Sequence, residues 1–483
     1  MRINVKILSI ITIVLIFVAK VPGLFWGFPA ILHNDESVVI RTALGLRFGD
    51  LNPHHFDWPS LYFYTNYFFF LLFIKIRILL QLIFGTDQMK NLCPFWWGPE
   101  LPFYLIGRIV TNFFLILCVV LTYFIAKKVL KNTYAGLLST IIFLLGSWIT
   151  YLSFYALSDI ALTFWGLVVV YICILIIEKP KLSLYILAGF AAGIATSTKY
   201  NGIFFCLIIL IAHFLANKDS TYFRTLFNKK IIFAGVFSLI GFFIGTPYAI
   251  INWTTFSRTS DATGAFWQYS HMGIGFNLLK YTFEVLPENF GVLIFIMSLI
   301  GLFYLFKTGL EGKLITITTA TILILTSFLG IARAHYVTMA IPYLSISAVA
   351  FLFHIKKRFS NKLFVFLIIV AIIPMCISSG KEYVKRYSDD TRLVSGKWIE
   401  QNIPEGTEIS SFDELTGYYG GNLPYFDYEN YKVVTLTHPN LPMSKIFIAN
   451  DKDISLDPNY DLIYIIDNKV RTGPNIYIFQ MEN

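Results

Sequence analysis

Long apolar runs limit what this chain can fold into. Eleven of them lie near residues 5–25, 102–126, 135–154, 159–177, 182–198, 202–216, 231–250, 288–306, 314–331, 337–354 and 363–379. Runs approaching 20 residues match the hydrocarbon thickness of a bilayer, about 30 Å. In that solvent every backbone polar group must be satisfied within the protein, so only helices or closed barrels span it. The runs are continuous and not ten-residue alternations, which selects helices. Composition agrees. Hydrophobic residues make up 56% and charged residues 14%, against about 45–50% and about 25% in soluble domains. A soluble enzyme, a disordered chain and a collagen-like chain are excluded. The first run, Ile7 to Ala19, lacks a small-residue cleavage site and continues through Lys20 to Trp26, which reads as an uncleaved first helix.

Charge divides the chain. Residues 1–379 hold 28 Lys and Arg against 13 Asp and Glu, a balance of +15; residues 380–483 hold 10 against 16, a balance of −6. The expected fold class is therefore an all-α polytopic membrane protein, with about 11 transmembrane helices over 1–379 and a small soluble α/β domain over 380–483. The basic residues sit in short clusters between apolar runs, which does not suggest nucleic acid as a partner. Cys118, Cys173, Cys206 and Cys376 lie in apolar runs and Cys93 has no obvious partner, so neither a disulfide framework nor a zinc spacing is expected.

A twelfth apolar segment, 61–85, is interrupted by Lys75 and Arg77. The positive-inside rule decides whether it crosses. If it does not cross and the N-terminus is cytoplasmic, 17 of the 28 basic residues fall in cytoplasmic loops and 10 of the 13 acids fall outside. If it crosses, every downstream cluster moves outside. The sequence thus predicts eleven crossings, a juxtamembrane helix over 61–85 in the outer leaflet, long outer loops at 26–101 and 251–287, and an extracytoplasmic C-terminal domain.

Outer positions carry the candidate chemistry. Asp35 and Glu36 follow the first crossing, where a carboxylate can accept a hydroxyl proton, hold a divalent cation or simply cap a helix. Asp413-Glu414 repeats the pair, so placement and not the dipeptide is the signal. The stretch 49–59 holds His54 and His55 with Asp50 and Asp57, suited to a metal or a phosphate, or to a polar interfacial loop. Asp159 opens an apolar helix as a cap or as a functional carboxylate at membrane depth. Lys199-Tyr200 joins two apolar runs, with the lysine either snorkelling or meeting a lipid phosphate. Arg333 and Tyr336 fall at another outer end, as a belt anchor or a second phosphate clamp. Carboxylates and cations at headgroup height suit a reaction in which a lipid phosphate leaves.

HNDES at 33–37, GDLNPHHFDWPSLYFY at 49–64, GR at 107–108, YALSDIALTF at 155–164 and AGFAAGIATSTKYNGIFF at 188–205 resemble the polyprenyl-phosphate-dependent membrane glycosyltransferases. That family includes the protein O-mannosyltransferases and the lipid A aminoarabinose transferase. The resemblance covers roughly residues 1–350. It implies a donor sugar on an isoprenoid phosphate, transfer on the outer face to a lipid, glycan or protein acceptor, and inversion at the anomeric carbon. By the same resemblance Asp35 is an acid acting as base or contacting the acceptor, with Glu36 beside it. Asp159 is the second-loop acid, Lys199 with Tyr200 a site for donor phosphate, and Arg333 with Tyr336 a looser match. The histidine pair leaves a divalent metal open as cofactor without requiring one.

In 380–483 the expected elements are a helix over Arg392–Asn402 and strands at Glu408–Ser411, Lys432–Leu436, Leu462–Ile466 and Ile476–Phe479. Tyr418, Tyr419 and Tyr425 could stack on sugar or serve as turn and core residues. No Walker loop or dinucleotide fingerprint appears in the sequence, which argues against a nucleotide-sugar donor. A transporter or flippase for lipid-linked saccharide would show repeats and mid-membrane charges. An O-antigen-type ligase would place its basic residues in a late outer loop such as 251–287.

Overall fold

The computed structural model describes residues 5–46, 49–85, 95, 100–217, 228–261, 263–411, 423–436, 444–450, 460–469 and 471–481. Each of the eleven apolar runs is helical. They form α1 (Val5–Lys20), α4 (Leu101–Leu130), α5 (Thr133–Leu144) with α6 (Ser147–Leu152), α7 (Asp159–Glu178), α8 (Leu182–Thr198), α9 (Phe204–Ala216), α10 (Lys229–Gly245), α11 (Val292–Lys307), α12 (Leu310–Ser327), α13 (Ile341–Arg358) and α14 (Asn361–Tyr387). Between α1 and α4 lie α2 (Asn34–Gly45) and α3 (Leu61–Phe84). The run at 135–154 divides at Gly146, which adopts φ −57°, ψ 124°. Cys93 lies outside the described residues.

By length and composition seven helices among the described residues can cross a membrane, and Leu61–Phe84 is one of them. Lys75 and Arg77 do not break it: it is one helix of 24 residues. Its contacts with α4, however, fall on residues 103–113 of that 30-residue helix. Tyr62 Oη lies 2.8 Å from Thr111 Oγ1. Asn66 lies beside Gly107, and Phe70 and Phe73 meet Phe103 at 5.0 and 5.7 Å. The second half of α3 exposes Leu72, Ile76, Leu79 and Leu82. Thus the first half of α3 packs antiparallel along the first third of α4, and its second half leaves that helix.

The compact units divide the chain as 1–18 with 39–379, and 19–38 with 380–483. The start of the first outer loop, residues 19–38, thus joins the small unit and not the bundle. The reason is local bonding. Trp26 Nε1–H donates to Thr472 Oγ1 at 3.0 Å, and Arg392 Nη1 donates to the Leu32 carbonyl at 3.2 Å.

In the large unit α8 and α10 run parallel and very close. A Cβ on Gly189 would lie 2.1 Å from the Ala234 carbonyl oxygen, one on Gly193 2.0 Å from that of Ser238, and one on Gly241 2.4 Å from that of Phe190. Glycines four residues apart let two backbones touch where lipid offers no hydrophobic drive for association. At one end of this unit basic residues gather: Lys128 pairs with Glu178 at 2.7 Å, and Lys230 Nζ donates to the Pro180 carbonyl at 2.6 Å.

The small unit carries α15 (Thr391–Asn402) and strands β1 (Glu408–Ser411), β2 (Lys432–Thr435), β3 (Ile446–Ala449), β4 (Tyr460–Ile466) and β5 (Ile476–Met481). The sheet order is β2-β1-β3-β5-β4, parallel between β1 and its neighbours β2 and β3, and antiparallel across β3-β5-β4. Ile446 and Ile448 join Ile399, Ile409 and Ile478 on one face, while Phe447 and Ala449 join Leu436 on the other. With both faces covered β3 is a short unalternating apolar run, which is why period-2 reading misses it. Tyr418 and Tyr419 lie outside the described residues. Tyr425 is half-buried and its backbone meets α15: its N–H donates to the Arg392 carbonyl, and its carbonyl oxygen occupies the space a Cβ on Gly396 would need.

Gly193→Leu is expected to lower stability by about 3 kcal/mol through overpacking against α10. Gly235→Ala, where a Cβ meets nothing within 4 Å, should leave the midpoint unchanged or raise it. Thermal unfolding of the two variants in the same detergent checks this contrast.

Candidate active site

The Thr198-Lys199-Tyr200-Asn201-Gly202 sequence makes a sharp break in the large unit. α8 ends at Thr198, Lys199 is extended at φ −156°, ψ 136°, and a 3-10 turn covers Tyr200–Ile203. The turn closes when the Gly202 N–H donates to the Lys199 carbonyl at 2.8 Å. Only glycine fits at 202, because a Cβ there would lie 2.2 Å from the Ala195 carbonyl carbon. The break turns the Lys199 side chain away from its own helix. Its ammonium donates to Asp159 Oδ1 at 2.7 Å. It also lies 5.8 Å from the centre of the buried Tyr336 ring.

Asp159 stands in the first turn of α7 with its side chain 6% exposed, while that of Lys199 is 23% exposed. The helix N-terminus favours the carboxylate, and the ammonium compensates its burial. A charge-assisted bond of this length in a dehydrated setting is strong. Asp159 is therefore a partner for a cation and not a free surface cap.

The residue after the lysine ties two loops to this place. Tyr200 Oη–H donates to the Phe56 carbonyl at 2.6 Å, and the Phe56 N–H donates to the Thr263 carbonyl at 2.7 Å. Phe56, Ala249, Phe256 and Ala265 form a buried cluster with Tyr200 against it. The loop around residues 50–58 and the loop around 256–265 thus meet beside Lys199. Behind Tyr200 lies an apolar cavity of about 820 Å³, lined among others by Phe204, Phe242, Phe266, Phe328 and Leu329.

The other predicted residues are placed as follows. His54 Nε2 lies 2.9 Å from Asp50 Oδ2, and this bond, followed by that from the Asn52 N–H, holds the Asp50 carboxyl below its usual pKa. His55 Nε2 lies 2.6 Å from Asp57 Oδ1, off line for a hydrogen bond. The two histidines therefore face separate carboxylates. Among the described residues no three His, Cys, Asp or Glu side chains converge as metal ligands would. Arg333 is exposed, and its backbone N–H, not its guanidinium, is what bonds Tyr281 Oη. Asp35 and Glu36 fall in the small unit, in the first turn of α2, with Asp35 half-buried and Glu36 wholly buried. Arg258 and Asp261 of the 251–287 loop lie 3.8 Å apart, with Asp261 also bonded by Thr263.

Sequence reading gave Arg108 no role beyond its place in a GR pair. Among the described residues it is the largest fully buried side chain. An arginine inside an apolar run was the available signal. Its neighbour Gly107 explains the location, since a Cβ there would lie 2.5 Å from Ile40 and 2.7 Å from Ala156. Arg108 is thus set where three segments touch.

Removing one partner of the buried pair leaves a charge without compensation. Lys199→Met is expected to destabilise the fold by about 3 kcal/mol. The double variant Asp159→Leu/Lys199→Met should recover most of that loss. Thermal midpoints of the two variants and the wild type test the coupling.

Comparison with known proteins gives two agreeing results. Residues 67–257 match the family model of dolichyl-phosphate-mannose-protein mannosyltransferase. That stretch contains Arg108, Asp159, Lys199 and Tyr200. No curated protein matches the chain. Among solved structures, the chain is similar to ArnT from Cupriavidus metallidurans bound to undecaprenyl phosphate, at 13% identity, 97% coverage of each chain and a TM-score of 0.55. It is also similar to apo ArnT from the same organism, at 14% identity, 84% coverage of this chain, 83% of the other and a TM-score of 0.51. The resemblance expected from the motifs is borne out: residues 67–257 match the mannosyltransferase family model, and the chain shares the fold of ArnT.

Proposed function

We infer that the protein transfers a sugar from a polyprenyl-phosphate donor to an acceptor at the outer face of the membrane, with inversion at the anomeric carbon. The single observation that carries this reading is the adjacency of a cation and an apolar cavity. Lys199 bonds Asp159, and the next residue, Tyr200, lines the 820 Å³ space. A lipid-linked sugar needs both: a cation at its phosphate and an apolar groove for its chain. The similar ArnT structure was solved with undecaprenyl phosphate, which supports the choice of donor.

The chemistry follows from charge development. The bond between the anomeric carbon and the phosphate oxygen breaks, and the lipid phosphate leaves with an extra negative charge. Lys199 is placed to receive that oxygen, and Asp159 positions the ammonium. The Tyr336 ring beside Lys199 holds the cation from a second side. A new bond forms from the acceptor oxygen or nitrogen to the anomeric carbon, and the acceptor's proton passes to a carboxylate. Asp35 is the proposed base, with Glu36 its neighbour, on the motif resemblance. The acceptor class is a lipid, glycan or protein on the extracytoplasmic side.

Transfer assays in membranes with labelled polyprenyl-phosphate sugars test this. The paired variant Asp159→Asn/Lys199→Gln leaves no unmatched charge and should fold, yet lose about 100-fold in kcat/KM, about 2.7 kcal/mol of barrier. Asp35→Asn should fold and fall by a similar factor in kcat. Full activity in the paired variant would remove the Lys199 site from the reaction.

A further inference from the structure

The segment from Ile274 to Phe283 presents an apolar face that nothing in the large unit covers. Ile274 is 91% exposed, Phe276 63%, Leu279 66% and Phe283 73%. The pattern is built by the backbone. The Gly275 and Asn277 N–H groups donate to the Phe328 and Ser327 carbonyls at 3.1 and 2.7 Å, and Ile274 bridges to Leu329. In such an extended stretch alternate residues share a face, so Ile274 and Phe276 point the same way. A helical stretch follows from Leu278, and there Leu279 and Phe283 are four apart and share a face. The opposite side is packed: Tyr281, Leu286 and Phe290 are buried.

We propose that this face lies in the acyl region of the leaflet on the active-site side of the membrane and forms the sideways entrance through which the lipid donor reaches the cavity. Three observations choose a lipid leaflet as the occupant. The apolar face continues into exposed side chains of the spanning helices, Val292 and Ile296 on α11 and Ile324 on α12. Lys280 and Glu284 are exposed among the apolar positions and four residues apart, which suits side chains that reach to headgroup level. The segment also borders the cavity, because the Phe276 ring meets Phe328 at 5.7 Å and Phe328 lines that space. The leaflet contact stands on exposure alone, while the entrance role rests on the donor reading given above.

The test has two readouts. The full chain, with native cysteines replaced, receives a nitroxide at Ile274→Cys, Leu279→Cys or Phe283→Cys and is reconstituted in phosphatidylcholine–phosphatidylglycerol vesicles. Collision with oxygen should exceed collision with a water-soluble nickel chelate at all three positions, and the reverse is expected at the exposed control Lys397→Cys. Nickel collision at the three positions as free as at the control would overturn the leaflet contact, whatever the enzyme's substrate. In the second readout, Ile274→Asp/Leu279→Asp should raise KM for a long-chain donor in vesicles by about tenfold and leave turnover of a short-chain donor in detergent within about twofold. Equal loss with both donors, or no change with either, would overturn the entrance. Absence of transfer by the wild type with every polyprenyl donor would defeat the donor reading and leave the collision result intact.

Discussion

The bond between Lys199 and Asp159 is the interaction on which this end of the large unit depends. Each partner would be costly alone in a setting this dry. Together they join the start of α7 to the end of α8 and place a cation at one end of the bundle. The pair exists because the chain breaks out of helix at Lys199, and the break exists because Gly202 admits the tight return against Ala195. A side-chain contact made for electrostatic reasons thus depends on a backbone conformation made for steric ones.

The same break recruits the loops. Tyr200 follows Lys199 by necessity of sequence, and its hydroxyl reaches the Phe56 carbonyl while Phe56 reaches Thr263. One short run therefore fixes a cation, a wall of the apolar cavity and the meeting place of two loops far apart in the chain. Ser197 and Thr246, hydrogen-bonded to each other at 2.7 Å, close the same end between α8 and α10. Thr246 Oγ1 in turn accepts from the Ser60 N–H at 3.3 Å, so the start of α3 is fastened there as well.

Much of this is legible in the residues. Apolar runs locate the helices because the bilayer penalises anything else. Asp159 and Lys199 stand out because ionisable groups at such depth need a reason. Other features are hidden for physical reasons. β3 is four buried residues without alternation, so its period carries no signal. The attachment of Trp26 and Leu32 to the small unit depends on contacts with Thr472 and Arg392, hundreds of positions away. The partners of His54 and His55 are set by the turn geometry of 50–57, where His54 takes φ +54°. Arg108 stands in the sequence only as half of a GR pair, and its enclosure comes from the close approach of Gly107 to Ile40 and Ala156.

The parallel pairing of α8 and α10 has an electrostatic result. Helices that run the same way end on the same side, so two sets of unsatisfied carbonyls, after Thr198 and after Gly245, face one region. Each terminus carries roughly half a negative charge. Lys199 follows directly on the first of these ends, and its ammonium is a positive charge on the same side of the bundle. Glycines that let two helices touch thereby also set two negative helix ends side by side.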